Sequence, residues 1–467
     1  MLSSLLKVKD LNNNEVESES LKPLYKKCIS IAWPSTVEGA LLSIIGSMDT
    51  MMVGRIGTAA IAAVGLTNQP RMILLILAQA LCVGTTSLCA RRKGAENRDG
   101  ANSCLAQSLA IITVLGIMMT LCGYFGAPWL MRLAGANEDT MELSIVYFQT
   151  ISKGMLFNAW SLCICAAFRA IGQTRITMIT NISANIVNVV LNYILINGKL
   201  GFPVMGVKGA AVATFISMIT SCTIAIIFLL QKNGYYSFTL PRFDNDTVYG
   251  LAKIGGSSIL ESAALRIGFL ITSRMIAETG TNSFAAYQIV TQVSSLSFTL
   301  GDGISTAATS LIGQSLGANN KNNAMINARI AKRLGTFVAI GLMIFIFIFG
   351  RPLAVLFTDN EEVIYGVIIS FYVLITGIIP QNGRVIYSGC LRGAGDVKYV
   401  AICALLSVTI LRPAVTYLFC HVLNVWTPGL YFNVTGPWIA FVVDSYVRDL
   451  LLKKRINKAV WLDIKLK

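Results

Sequence analysis

The sequence predicts an all-α integral membrane protein with twelve transmembrane helices, arranged as two six-helix lobes related by a pseudo-twofold axis along the membrane normal. Three observations predict it. Of 467 residues, 54% are apolar and only 13% charged, against about 25% charged in a typical soluble domain. Apolar stretches near the ~20 residues needed to cross ~30 Å of hydrocarbon recur twelve times along the chain. The second half also repeats small and polar positions of the first at one ungapped shift of 223 residues.

The stretches lie at about 29–52, 61–90, 104–126, 146–170, 176–197, 207–231, 250–277, 284–312, 329–350, 363–389, 397–421 and 434–452. Backbone groups left unpaired in lipid are costly, so such segments are helices or barrel strands, and these lengths suit helices. The expected layout is a tail over 1–28, an N-lobe over 29–231, a polar linker over 232–249, a C-lobe over 250–452 and a second tail over 453–467. The start of the chain (Asn12 to Asn14, Glu15, Glu17, Glu19) is polar and lacks the short apolar core of a cleavable signal peptide.

The formal charge is +15, from 38 Lys+Arg against 23 Asp+Glu. On a soluble chain that excess would suggest nucleic acid. Here, with the N-terminus taken as cytoplasmic, 27 of the basic residues, Arg169, Arg392 and Arg448 among them, fall in the tails and even-numbered loops, 5 in the opposite loops and 6 inside spans. The bias is that of cytoplasmic loops, so both termini are expected in the cytoplasm and no nucleic-acid partner is implied.

The repeat carries Gly57-Thr58 onto Gly280-Thr281, Gln69 onto Gln292, Thr86-Ser87 onto Thr309-Ser310, Glu38 onto Glu261, Arg169 onto Arg392 and Gly172 onto Gly395. Six helices followed by six make a parallel repeat, with a substrate path expected between the halves.

Soluble-enzyme machinery is absent from the sequence. Eleven scattered Cys form no C-x-x-C pair and read as small buried hydrophobes. A single histidine, His421, leaves no His-based metal site or triad. The one Gly-Lys pair, Gly198-Lys199, precedes Leu200 and is no phosphate loop. No enzyme activity and no cofactor are expected, and transport would draw on an ion gradient or on exchange with another solute.

Ionisable residues inside spans are costly and therefore functional candidates. Glu38 and Asp49 stand eleven residues apart on the first helix, nearly three full turns, so they share a face. Pro34 lies one turn before Glu38, where its missing amide can kink the helix. A buried carboxylate such as Asp49 can take up a proton or Na⁺ and release it when a cationic substrate arrives. The fifth helix carries Asn181, Asn185, Asn188 and Asn192 on one face, readable as an ion site or as interhelical hydrogen bonding. The eighth carries Gln288, Gln292, Ser295, Thr299, Asp302 and Thr306 at 4-3-4-3-4 spacing, which implies a water-lined cavity. Glu261, Arg266, Gln381 and Arg384 add polarity to the second lobe. Arg274 lies one turn from Glu278 and is expected to pair with it, while Arg412 before Pro413 is expected at a helix break.

The motifs Met48-Asp49-Thr50 with Val53-Gly54-Arg55-Ile56-Gly57, Phe168-Arg169-Ala170-Ile171-Gly172, Ser310 to Ala318 (SLIGQSLGA) and Leu391-Arg392-Gly393-Ala394-Gly395-Asp396 together resemble the multidrug and toxic compound extrusion (MATE) family. The resemblance runs from about Lys26 to Trp461. It implies an inner-membrane antiporter that expels chiefly cationic, amphipathic compounds in exchange for H⁺ or Na⁺ by rocking two lobes, with a monomer as the working unit. It further implies that Asp49 is the first-helix carboxylate of an N-lobe cation site, that Asn188, Asn192 and Thr214 are its partners and its Na⁺ ligands, and that Pro34 is where the first helix bends. Glu261 then matches a C-lobe glutamate. The chain departs from the pattern in having Asn192 where some members have Asp, and Gln381, with Arg384 one turn away, where one sodium-coupled branch has Asp. With Glu38, Gln288, Gln292 and Asp302, the residues Glu261, Gln381 and Arg384 are the expected substrate-cavity set. An alternative, motivated by Arg71, Arg266 and Arg384, is a flippase or exporter of a lipid-linked glycan or anionic metabolite.

Overall fold

The computed structural model describes residues 8–12, 14–16, 18–54, 56–231, 234–237, 242–424 and 431–464, apart from the side chains of 44, 47–51, 54, 58, 59, 61 and 281. Among these residues the only strand-like pairing is one bridge between Lys9 and Glu15. Everything else regular is helix.

Twelve rods follow in order: α1 Ser18–Gly54, α2 Thr58–Gly94, α3 Arg98–Phe125, α4 (Glu138–Ser152 and Met155–Ala170, bent by 49°), α5 Thr174–Asn197, α6 Gly206–Leu229, α7 Asn245–Ala277, α8 Thr281–Gly317, α9 Lys321–Val355, α10 Glu361–Ala394, α11 Val397–Leu423 and α12 Phe432–Asn457. Each overlaps one of the twelve predicted stretches. Among the described residues eight helices are long and apolar enough to cross a membrane on composition alone, and the bent α4 makes a ninth. Of the other three, α8 carries the polar stripe and α12 carries Asp444, Arg448 and Asp449, which lower their hydropathy, and part of α1 lies outside the described side chains.

The chain divides into two compact units, 37–255 (the N-unit) and 1–36 with 256–466 (the C-unit). The boundaries differ from the lobes expected at 29–231 and 250–452, for a packing reason. The start of α1 buries Leu21, Tyr25, Cys28 and Ile31 in a C-unit core with Ala307, Leu311, Ile330 and Cys390. The start of α7 buries Leu251 and Ile254 in the N-unit, where Arg92 Nη2 donates to Thr247 Oγ1 at 2.5 Å. Membership changes two residues after Pro34 in α1 and between Gly255 and Gly256 in α7.

Within each unit the repeat positions do equivalent work. Asn97 and Asn320 cap α3 and α9, their side chains accepting from Gly100 N at 2.7 Å and Asn323 N at 2.8 Å. Gly172 and Gly395 have φ of 86° and 87° at the turns into α5 and α11, a region that disfavours any Cβ. Thr86 Oγ1 donates to the Ala166 carbonyl at 3.2 Å, and Thr309 Oγ1 donates to the Gly389 carbonyl at 2.9 Å. Small residues make that approach possible: Ala166 and Ala170 on α4 match Gly389 and Gly393 on α10.

α11 is irregular, as expected at Arg412-Pro413. It is α-helical over Val397–Ala404 and Arg412–Tyr417, with π-helical turns at Leu405–Leu411 and Leu418–Leu423; the missing proline amide removes one rung of the ladder. Ten of the eleven cysteines are buried, whereas Cys122 is exposed on α3. Arg274 and Glu278 pair at 3.5 Å on exposed surface.

Candidate functional site

Each unit encloses a polar cavity among its own helices. In the N-unit a cavity of about 410 Å³ is lined from α1 by Gly46 and Val53, from α2 by Asn68 and Arg71, from α4 by Asn158, and from α5 and α6 by Asn and Ser/Thr side chains. The 4-3-4 spacing on α5 puts its four amides on one side of the helix. Asn188 Nδ2 donates to Thr214 Oγ1 at 3.3 Å, and Asn192 Nδ2 donates to Asn188 Oδ1 at 3.2 Å. Asn185 Nδ2 donates to the Asn181 carbonyl at 2.7 Å. The oxygens gathered here are hard, neutral donors of the kind that hold an alkali cation beside one carboxylate. Asp49 belongs to α1, and its side chain lies outside the described residues.

Glu38 does not line this cavity. It is buried behind the amide row, accepting from Asn181 Nδ2 at 2.6 Å and Thr177 Oγ1 at 3.2 Å, with Arg169 Nη1 at 4.0 Å. Its place is that of an anchor for α5 rather than of an open carboxylate.

The C-unit cavity, about 370 Å³, is lined by charged and aromatic side chains. Glu261 on α7 accepts from Arg392 Nη2 on α10 at 2.6 Å, and Asp302 on α8 lies within electrostatic reach of the same arginine. Asp444 on α12, fully buried, accepts from Arg412 and Ser407 on α11 and, at 3.3 Å, from Arg448 Nη2 one turn along α12, whose Nε lies at ion-pair distance, 3.2 Å. The Arg412 guanidinium sits 5.1 Å from the ring centres of Phe269 and Phe441. Arg384 lies 5.7 Å from the centre of the Phe441 ring and lines the cavity, as does Gln381 one turn before it.

Of the expected cavity set, Glu261, Asp302, Gln381 and Arg384 therefore meet on one wall. Gln288 and Gln292 do not: both are exposed and off the wall, and only Ser295, Thr299 and Asp302 of the α8 stripe reach it. The cavity follows α8 from Tyr287 to Asp302, but beside the glutamines the lining is made by Tyr287, Thr291 and Ser294, on a different side of the helix. Asn188, Asn192 and Thr214 meet in the other unit.

Sequence reading passed over Asp444 and Arg448, and counted Arg448 among the loop charges. Asp444 and Arg448 stand four apart on a spanning helix, a local sign of a buried pair. Arg169 and Arg392 had also been counted as loop charges, yet each turns inward to the glutamate that shares its repeat shift. Among the described residues no three His, Cys, Asp or Glu side chains converge as a metal cluster would require.

Comparison with known proteins agrees with this doubled architecture. The MatE family model matches residues 34–194 and again 257–418. The uncharacterized transporter YisQ of Bacillus subtilis is 26% identical over 441 residues, 93% of this chain and 94% of its own. The probable multidrug resistance protein NorM of Thermotoga maritima is 26% identical over 446 residues, 94% of each chain. Among solved structures, a MOP superfamily transporter from Pyrococcus furiosus, described as having a binding pocket of reversed polarity that suggests a different function, superposes with a TM-score of 0.84 over 98% of both chains at 24% identity. With the family model matched twice over most of its length, the chain belongs to the MatE family of membrane transporters.

Proposed function

We propose that the protein is a secondary active antiporter that exports cationic, amphipathic small molecules across the cell membrane in exchange for H⁺ or Na⁺, working as a monomer by alternating access with both termini in the cytoplasm. The observation that carries the reading is the N-unit cavity, where Asn188, Asn192 and Thr214 gather polar oxygens inside a membrane-embedded unit. Gly46 and Val53 line that cavity at three residues before and four after Asp49. On a helix those positions share a face, which supports Asp49 as the coupling carboxylate. Thr272, the repeat equivalent of Asp49, lines the C-unit cavity and supports the same placement.

The coupling follows from electrostatics. A carboxylate held away from water is stable only when neutralised, by a proton, by Na⁺ or by a cationic substrate. One negative charge satisfies one cation at a time, so arrival of one favours departure of the other. Pro34 is the proposed bend of α1, and the change of unit two residues later supports it. Cavities of about 370 and 410 Å³ suit drug-sized molecules.

The test is efflux of a lipophilic cation from proteoliposomes under Na⁺ and pH gradients imposed separately. One gradient is expected to drive efflux and thereby name the ion. Asp49→Asn is expected to lower gradient-driven efflux at least tenfold while leaving the melting temperature near that of the unaltered protein. Efflux in Asp49→Asn that still follows the gradient would sink the assignment.

A further inference from the structure

We propose that the C-unit cavity is a seat for the carboxylate of an aromatic amphiphile, held by Arg384 with Gln381. The inference rests on the transport reading for its purpose but not for its test.

The argument begins with charge. Arg384, Arg392, Arg412 and Arg448 line the cavity with Glu261 and Asp302, and Asp444 is bonded to two of the arginines. Four cations thus face three anions. The excess falls on one residue, because the others are engaged. Glu261 is taken by Arg392. Both oxygens of Asp444 are occupied by Arg412, Ser407 and Arg448. Arg384 is 8% exposed, its Nε has no hydrogen-bond partner, and among the described residues no carboxylate lies within ion-pair distance of it. An arginine stays protonated even there, and an unpaired buried charge is strongly unfavourable. The Nε atoms of Arg392, Arg412 and Arg448 are unpartnered too, so what sets Arg384 apart is the missing carboxylate: Arg392 is paired with Glu261, and Arg412 and Arg448 with Asp444. Gln381 is 2% exposed with its Oε1 also unpartnered, and rotation of the amide presents either a donor or an acceptor to the same space.

The shape of the partner follows. A guanidinium presents a planar fork that matches a carboxylate with two parallel hydrogen bonds. Around it the wall is aromatic, from Phe269, Tyr287, Phe298, Trp438 and Phe441. A flat apolar body with one carboxylate fills both features, and its charge cancels the excess of one.

The full-length protein, purified in an uncharged detergent, would be titrated calorimetrically with three matched probes: naphthalene-2-carboxylate, 2-(hydroxymethyl)naphthalene and 2-(aminomethyl)naphthalene. The carboxylate is expected to bind at least tenfold more tightly than the alcohol, at a site from which the amine does not displace it. Arg384→Gln is expected to remove that advantage and leave the alcohol within twofold. Arg384→Lys, which keeps the charge but not the fork, should fall between. A carboxylate bound no more tightly than the alcohol by the unaltered protein overturns the proposal without any variant. So does an Arg384→Gln or Arg384→Lys protein that keeps full carboxylate affinity. Arg384-dependent binding of dioctanoyl phosphatidylglycerol without naphthoate binding would assign the oxyanion to a lipid headgroup and likewise overturn it. The titration uses no gradient, so ion-driven efflux can survive its failure, and its success can survive the failure of ion-driven efflux.

Discussion

Glu38 and Glu261 occupy equivalent positions in the two units, and each faces the equivalent arginine, Arg169 at 4.0 Å and Arg392 at 2.6 Å. The capping asparagines, the glycine turns and the threonine bonds between helices also coincide. What fills the frame does not. Ser161 and Ser221 share a 2.6 Å hydrogen bond in the N-unit; the same positions in the C-unit are Arg384 and Asp444. The amides of α5 become Ala404, Val408, Leu411 and Val415 on α11. One cavity thus gathers neutral amides and hydroxyls with Arg71 among them, and the other holds a dense set of paired ions with one arginine left over. A duplicated scaffold needs its turns, caps and close-packing positions in both copies, whereas the residues facing the cavity are free to diverge, so the two cavities differ in charge.

The largest expected effect probes that divergence. Asp444→Ala strands Arg412 and Arg448 in the interior and is expected to destabilise the protein by about 3–5 kcal/mol. Its N-unit equivalent, Ser221→Ala, breaks one neutral hydrogen bond and is expected to cost about 1 kcal/mol. Thermal melting in detergent compares them directly, and equal losses would refute the contrast between the cavities.

A smaller difference is expected between the two glutamates. Glu261→Gln replaces a close ion pair, an effect of about 1.5–3 kcal/mol. Glu38→Gln keeps an acceptor for Asn181 and Thr177 and loosens only a 4.0 Å pair, and is expected to stay below about 1 kcal/mol. A larger loss at Glu38 would show that its link to Arg169 outweighs its bonds to α5.

Pro34 and Gly255-Gly256 mark where α1 and α7 change units. A Cβ at Gly256 meets nothing within 4 Å, and one at Gly255 meets only the Ala80–Leu81 backbone, at 3.5 Å and beyond. The double substitution Gly255→Ala with Gly256→Ala is therefore expected to raise stability by about 1 kcal/mol through helix propensity and, if α7 bends there, to slow transport. Faster or unchanged transport in proteoliposomes would remove α7 from the moving parts.

The smallest effect lies at the start of α7, which has no counterpart in the other unit because Leu21 holds the equivalent position. Asp244 accepts from the Thr247 hydroxyl at 3.0 Å and from the amides of Thr247 and Asp246 at 3.2 and 3.4 Å. The Thr247 hydroxyl bond leads in holding its carboxyl below the usual carboxylate value, joined by the two amides and Arg92, against a smaller opposing push from desolvation. The native form thus binds protons less readily than the unfolded one. Its stabilisation is complete above about pH 4 and is lost as pH falls through the lowered value. Amide exchange at Asp246 and Thr247 is expected to speed up over that range, and Asp244→Ala should abolish the pH dependence.

Much of this was legible in the sequence because it is local or periodic. Twelve apolar stretches became twelve rods since a chain in lipid has few other ways to satisfy its backbone. The 223-residue shift identified Glu38 with Glu261 and Arg169 with Arg392, and the amide stripe of α5 pointed to a polar face. The tertiary structure decided what depends on distant segments meeting. It paired those glutamates and arginines across about 130 residues of chain, withdrew Gln288 and Gln292 from the cavity wall, and turned Arg448 from a loop charge into the partner of Asp444. It also assigned the first turns of α1 and α7 to the opposite units from those a linear reading gives. Composition and spacing determine which face of a helix is polar; only packing decides which of those polar groups find partners inside the protein and which, like Arg384, are left facing a cavity with a charge still to be met.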